Sequence, residues 1–132
     1  MAGETIATTA LNPPYDVPFG GFFVPFSVAF ATAALELADI TEVGYLPAGT
    51  LLGFLIKATD MDTNVSPTLV QKLTVGTTDV VTAINYGQAA TDGFRACTPL
   101  VLTAKTKLVV NNTAAAATAA AGSMSIVAVM QK

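Results

Sequence analysis

Apolar and polar positions alternate most regularly between Thr50 and Thr59. Leu52, Phe54, Ile56 and Ala58 fall on one side there, and Leu51, Gly53, Leu55, Lys57 and Thr59 on the other. A period of two is the period of a β-strand, so this run predicts a strand with the first set turned into a core. The same pattern recurs at Thr68–Gly76, with Leu69, Leu73 and Val75 inward and Lys72 and Thr74 outward. It recurs at Thr106–Asn112, with Leu108 and Val110 opposite Lys107 and Val109. The last run is Ser123–Gln131, with Met124, Ile126, Ala128 and Met130 facing one way and Ser125, Val127, Val129 and Gln131 the other. Phe26–Leu37 is apolar on both sides, which suits a central strand between two layers. Phe94–Thr103 adds a further strand, with Pro99 fitting a strand start or a sheet edge. Thr77–Tyr86 reads as a short strand or as one or two helical turns opened by Thr78-Asp79.

Breakers separate these runs. Pro47-Ala48-Gly49 predicts a turn, with Asp39 and Glu42 on the polar edge before it. Asp60–Pro67 predicts a polar surface loop, so Asp39–Gly76 reads as two strands joined hairpin-fashion. The stretch Asn112–Gly122, NTAAAATAAAG, reads as a loop with room for a helical turn. Six to eight short strands with no recurring strand–helix–strand unit predict an all-β protein, an antiparallel β-sandwich or jelly roll.

The first residues follow another rule. Pro13, Pro14, Pro18 and Pro25 and the pair Gly20-Gly21 predict an extended, irregular N-terminal arm over residues 1–25, with the β-sandwich domain over 26–132. That arm nevertheless carries Tyr15, Phe19, Phe22 and Phe23, with Phe26 just after it, whereas free linkers are poor in aromatic residues. It is therefore expected to be held down, on its own domain or on a neighbouring subunit. Tyr15, Phe19, Phe22 and Phe23 are the candidate assembly contacts.

Composition sharpens this. Of 132 residues, 52% are apolar and only 11% charged, against roughly 25% charged in an ordinary soluble domain. Such a chain spans a membrane or hides surface against neighbours. The uncharged run from Gly20 to Leu35 is broken by Pro25, Ser27 and Thr32, and Asn111–Met130 is mostly small residues. Neither resembles a spanning helix of about 20 strongly apolar residues. The remaining expectation is a subunit of an assembly. A net charge of −3 without a basic cluster argues against nucleic acid as a partner.

Candidate chemistry is thin. The chain has no His and one Cys, Cys97, so neither a Ser-His-Asp nor a Cys-His set can be built. Cys97 reads as a small buried apolar residue. Asp60-Met61-Asp62-Thr63-Asn64 has the opening spacing of an EF-hand calcium loop. It fails at the sixth position, Val65, and at the twelfth, Gln71. The alternative is a solvated loop whose Asp and Asn side chains bond their own backbone. No catalytic residue, cofactor site or metal site is expected, and the chain is not expected to be an enzyme.

One resemblance rests on the order of these segments. Gly44-Tyr45-Leu46-Pro47-Ala48-Gly49 precedes the apolar strand, and the Asp60-x-Asp62 loop and Leu73-Thr74-Val75-Gly76 follow it. Gly87-Gln88-Ala89-Ala90 comes next, and Ala119-Ala120-Ala121-Gly122 leads into the last strand. This resembles small β-sandwich virion proteins of tailed bacteriophages, especially head decoration (cement) proteins, over residues 38 to 130. The resemblance implies a protein on the capsid surface of the virion, present in the host cytoplasm during assembly. It further implies the major capsid protein as partner and a homo-oligomer, a trimer, that clamps neighbouring capsid subunits. Another phage structural part, at the neck, tail or fibre base, is the second reading. A carbohydrate-binding sandwich is the third, disfavoured by the absence of Trp.

Overall fold

A computed structural model describes residues 16–17 and 20–132. Nine strands make up most of them: β1 (Asp16–Val17), β2 (Gly21–Phe30), β3 (Ile40–Leu46), β4 (Gly49–Ala58), β5 (Val70–Val75), β6 (Thr78–Ile84), β7 (Asp92–Leu102), β8 (Thr106–Ala114) and β9 (Gly122–Gln131). They form two sheets, ordered β1-β2-β9-β4-β7 and β3-β8-β5-β6, and every pairing is antiparallel. The expected antiparallel β-sandwich is therefore present.

From β2 onward the chain crosses between the sheets at almost every connection. The exception is β5–β6, where Val75 pairs with Thr78 across a two-residue turn. Gly76 opens that turn at φ 62, a left-handed value that a side chain resists. The crossing overturns the hairpin expected for residues 39–76. β4 lies in the five-stranded sheet and β5 in the four-stranded one, so they face each other across the core instead of pairing.

Alternation places the core correctly in most strands. Met124, Ile126, Ala128 and Met130 of β9 are wholly buried, as are Leu69, Leu73 and Leu108, with Val75 and Val110 nearly so. In β4 the inward set is Leu51, Phe54, Ile56 and Ala58. Leu51 stands where Leu52 was expected. The pairing shifts between Leu51 and Gly53, and the bulged Leu52 reverses the alternation upstream of it. A second bulge, between Glu42 and Gly44, lies in β3. That strand takes in Glu42 and lies where only a polar edge was expected, and the break between Leu46 and Gly49 falls at the expected turn. Thr77–Tyr86 is strand for most of its length, not helix.

β2 runs from Gly21 to Phe30 and pairs along its whole length with β9. Gly21–Val24 are thus regular strand where an irregular course was expected. The strand expected to continue to Leu37 ends at Phe30, and Thr32–Ala34 form a 3-10 turn. Pro25 is tolerated because β1 pairs only with Gly21 and Phe22, leaving the rest of that edge of β2 without a ladder partner among the described residues. Pro99 likewise sits on an edge strand, β7. Residues 1–15 and 18–19, including Tyr15 and Phe19, lie outside the described residues.

The Asp60–Pro67 loop is not a plain surface loop. Met61 and Asp62 are buried. Three Asx-type bonds follow the expected local pattern: Asp60 Oδ1 accepts from the Asp62 N–H, Asp62 Oδ1 from Asn64, and Asn64 Oδ1 from Ser66. Asp62 also reaches out of the loop. Its Oδ2 accepts from the N–H groups of Thr68 (2.8 Å), Leu69 (3.1 Å) and Ala117 (2.9 Å), and its Oδ1 from Thr118 (3.0 Å). One carboxylate thereby ties the β4–β5 connection to the β8–β9 connection, both of which cross between the sheets.

Candidate assembly surface

With the inner faces closed on each other, the outer faces are the broadest surfaces left for a partner. On the five-stranded sheet, register places two apolar rows side by side. Phe23, Val129, Gly53 and Ala96 make one row across β2, β9, β4 and β7. Pro25, Val127, Leu55 and Phe94 make the next. Leu55 is 44% exposed and Phe94 51%. The Phe94 ring reaches Gly53, where a Cβ would come within 2.7 Å of its Cζ and 2.8 Å of the Arg95 carbonyl oxygen, so the close approach of β7 there requires glycine. Beyond the second row, Ser27 and Ser125 stand opposite each other, and Lys57 lies opposite both Ser125 and Asp92. Small Ser125 leaves a depression of about 200 Å³ between Leu55, Lys57, Asp92, Phe94 and Val127.

The outer face of the four-stranded sheet is polar and internally bonded. Lys72 Nζ meets Asp79 Oδ2 at 3.0 Å, Thr74 Oγ1 donates to Asp79 Oδ1 at 2.9 Å, and Asn111 Nδ2 donates to Thr74 Oγ1 at 3.2 Å. Lys107 Nζ meets Glu42 Oε2 at 3.1 Å, and the Lys105 ammonium lies 5.1 Å from the Tyr45 ring centre. The hydrogen bonds from Lys72 and then Thr74 hold the Asp79 carboxyl below its usual range, and Glu42 raises Lys107. Leu37 and Ile40 are exposed at one corner of this face.

Of the candidate contact residues, Phe22 lies opposite Met130, half-buried against the core, with its Cζ beside Gly49. Phe23 faces the other way, onto the apolar outer face. Leu55, Phe94 and Val127 were not among the residues expected to make contacts. Leu55 and Val127 were visible on the partly apolar outward sides of Thr50–Thr59 and Ser123–Gln131, while Phe94 lies outside both runs.

The Asp62 site is closed to cations by its own donors. Burial alone would push this carboxyl up. The backbone N–H groups of Thr118, Ala117, Thr68 and Leu69 outweigh that and hold it far below the usual carboxylate range. Both oxygens point at donors, so the D-x-D-x-N spacing serves the fold. Among the described residues no cluster of three or more His, Cys, Asp or Glu could hold a metal. Cys97 is half-buried beside the Leu51 carbonyl, and burial pushes its thiol up. No helix among the described residues is long and apolar enough to cross a membrane.

The whole architecture recurs elsewhere. Its fold is that of phage capsid chains. The chain is 26% identical to a chain of the Cyanophage Pam1 capsid asymmetric unit, with a TM-score of 0.69 and 96% of each chain covered. A chain of the capsid of Ralstonia phage GP4 shares the fold at a TM-score of 0.71 and 19% identity, over 92% of this chain and 91% of that one. Neither a protein-family model nor a curated protein sequence matches.

Proposed function

We propose that this chain is a structural subunit of a bacteriophage capsid, without enzymatic activity, and specifically a decoration protein. In this reading it binds the outer surface of a tailed phage's shell, as a trimer, and clamps neighbouring major capsid proteins. The observation that carries the reading is the likeness, along 96% of both chains, to a chain of the Pam1 capsid asymmetric unit. The apolar outer face supports it, because Phe23, Val127, Leu55 and Phe94 lie side by side there and the largest apolar patch of a protein is often a contact surface. So does the low charge of the chain as a whole.

The mechanism is linkage. A subunit that binds several capsid proteins only when they are assembled stabilises the assembled state by mass action. Several weak contacts per trimer raise the net attachment far above that of one contact. Phe23, and from the arm Tyr15 and Phe19, are the proposed contact residues, while Phe22 anchors β2 on its own core. Cryo-electron microscopy of particles carrying the chain tests this. Trimeric density on the outside of the shell is the expected result, and density at the neck or tail, or only inside the shell, overturns it.

A further inference from the structure

We propose that the outer edge of β7 is a docking site for a second copy of this chain, whose own β7 adds to it antiparallel across a two-fold axis at Phe94. The inference concerns contact between copies in solution and does not depend on the capsid reading.

The backbone fixes which groups are free to pair. The Thr91 carbonyl accepts from the Ala58 N–H at 3.0 Å, and the Arg95 carbonyl oxygen lies so close to β4 that a Cβ on Gly53 would come within 2.8 Å of it. The odd-numbered residues of this stretch thus turn their peptide groups to β4. Successive residues of a strand turn them to alternate sides, so the N–H and C=O groups of Asp92, Phe94 and Ala96 point away from β4. β7 ends its sheet, and among the described residues no hydrogen bond reaches those groups. The Phe94 side chain beside them is half exposed. An open strand edge of this kind is a template for another strand.

Symmetry points to a second β7 as the occupant. The regular part of the edge is Asp92–Ala96. Before it the chain turns at Ala90, at φ 51, and after it the register with β4 breaks between Ala96 and Leu100, where Pro99 lies. Phe94 is the middle residue of that part. A two-fold axis at Phe94 sets Phe94 against its own equivalent and Asp92 against Ala96 of the second copy, so every outward N–H and C=O of Asp92–Ala96 finds a partner. On the outer face, the row Pro25, Val127, Leu55, Phe94 then runs on into the same row of the second copy. On the inner side Arg95 comes opposite Gly93, with its guanidinium already donating to the Thr82 carbonyl at 2.6 Å, so no like charges face each other. Neighbouring registers are worse. An axis at Arg95 sets arginine opposite arginine, and one at Gly93 brings Ala96 against the turn at Ala90. A ladder this short buries less than the about 800 Å² per partner of a stable dimer. The pairing is therefore weak in dilute solution and forms at millimolar protein, or wherever copies are held side by side.

Register-specific cross-linking tests this. With Cys97→Ala as background, one batch of full-length chain carries Asp92→Cys and another Ala96→Cys. In the proposed pair these positions lie opposite each other, about 5.5 Å apart between Cα atoms, within disulfide reach. Two copies of either position alone lie roughly 13 Å apart along the strands. At millimolar protein under mild oxidation, the mixture should give a disulfide-linked dimer several-fold faster than either batch alone. Each chain carries one cysteine, so the product on a denaturing gel is a dimer whatever larger assembly holds it. No dimer, or equal rates from the mixture and the single batches, overturns the proposal. As a second readout, Ala96→Pro removes an N–H that points outward, so β4 loses no hydrogen bond. At millimolar protein this variant should diffuse faster than wild type in NMR diffusion measurements, with its circular dichroism spectrum unchanged. Diffusion equal to wild type also overturns the proposal. A chain that passes both tests yet fails to bind capsids keeps this inference and loses the capsid reading.

Discussion

Across the outside of the four-stranded sheet, Lys72 meets Asp79, Lys107 meets Glu42, and Asn111, Thr74 and Asp79 form a continuous chain of hydrogen bonds. Across the outside of the five-stranded sheet, the equivalent outward positions hold Phe23, Val127, Leu55 and Phe94. The inner faces of both sheets are apolar at most alternate positions, with Gln71 and Asn112 as a buried polar pair bonded to each other, and together they form one core. The outer faces therefore carry the information that the core does not. Charged and hydrogen-bonding groups that satisfy one another make a surface that is complete in water. A two-row apolar surface is one that a partner can cover, and the largest apolar patch of a protein is often functional. In the proposed reading, the difference puts the partner on one side of the molecule.

That assignment presupposes two sheets locked back to back, and Asp62 is where the lock can be broken most severely. Removing its carboxylate by Asp62→Ala leaves the N–H groups of Thr68, Leu69, Ala117 and Thr118 without their acceptor. The expected loss is about 3–5 kcal/mol in urea denaturation, the range for breaking a buried charge cluster. The carboxyl is depressed in the folded state, so its contribution is fully present above the unfolded carboxyl value of about 3.9 and is lost as pH falls toward the lower folded value. Wild-type stability should fall steeply below about pH 4, and Asp62→Asn should flatten that slope. A slope unchanged in Asp62→Asn would remove Asp62 from the account of acid stability.

The next test acts on the apolar face alone. Leu55→Glu with Phe94→Glu puts two charges where a partner would bury them, and both side chains are already about half exposed, so folding should be little affected. Binding to capsids stripped of this chain should drop by about 100-fold or more, since central apolar contacts dominate such interfaces. Unimpaired co-sedimentation of the double variant with capsids would move the contact to another surface.

How much of this was readable beforehand depended on whether a strand kept its period. β4, β8 and β9 alternate cleanly over most of their length, and their inward residues could be named one by one. The bulge at Leu52 exchanged Leu51 for Leu52, because one inserted residue reverses the sidedness upstream of it. β3 was missed since Glu42 and Gly44 read as edge and turn, and the bulge between them broke the alternation. Pairing was the larger loss. Local pattern cannot show that β4 and β5 belong to different sheets, and without it the outward residues of β2, β9, β4 and β7 could not be joined into one face. Asp62 was hidden for a different reason. An aspartate in a polar loop looks solvated until the chain that donates to it, at Ala117 and Thr118, is brought alongside by the fold.

The smallest effect is expected on the polar face, and it is informative because it is small. Lys72→Ala removes the ammonium from Asp79 but leaves Thr74 Oγ1 donating to the same carboxylate. Both partners are partly exposed, and exposed ion pairs are largely screened. The thermal midpoint at neutral pH should therefore fall only slightly, and capsid binding should be unchanged. Asp79 is held below its usual range first by Lys72 and then by Thr74, so the pair stabilises the fold above the unfolded carboxyl value and stops doing so as the pH falls and Asp79 protonates. The gap between Lys72→Ala and wild type should accordingly close on acidification, and it should also close in high salt at neutral pH. If Lys72→Ala instead weakened capsid binding as much as the Leu55 and Phe94 changes do, the polar face would be part of the contact, and the division between the two outer faces would no longer locate the partner.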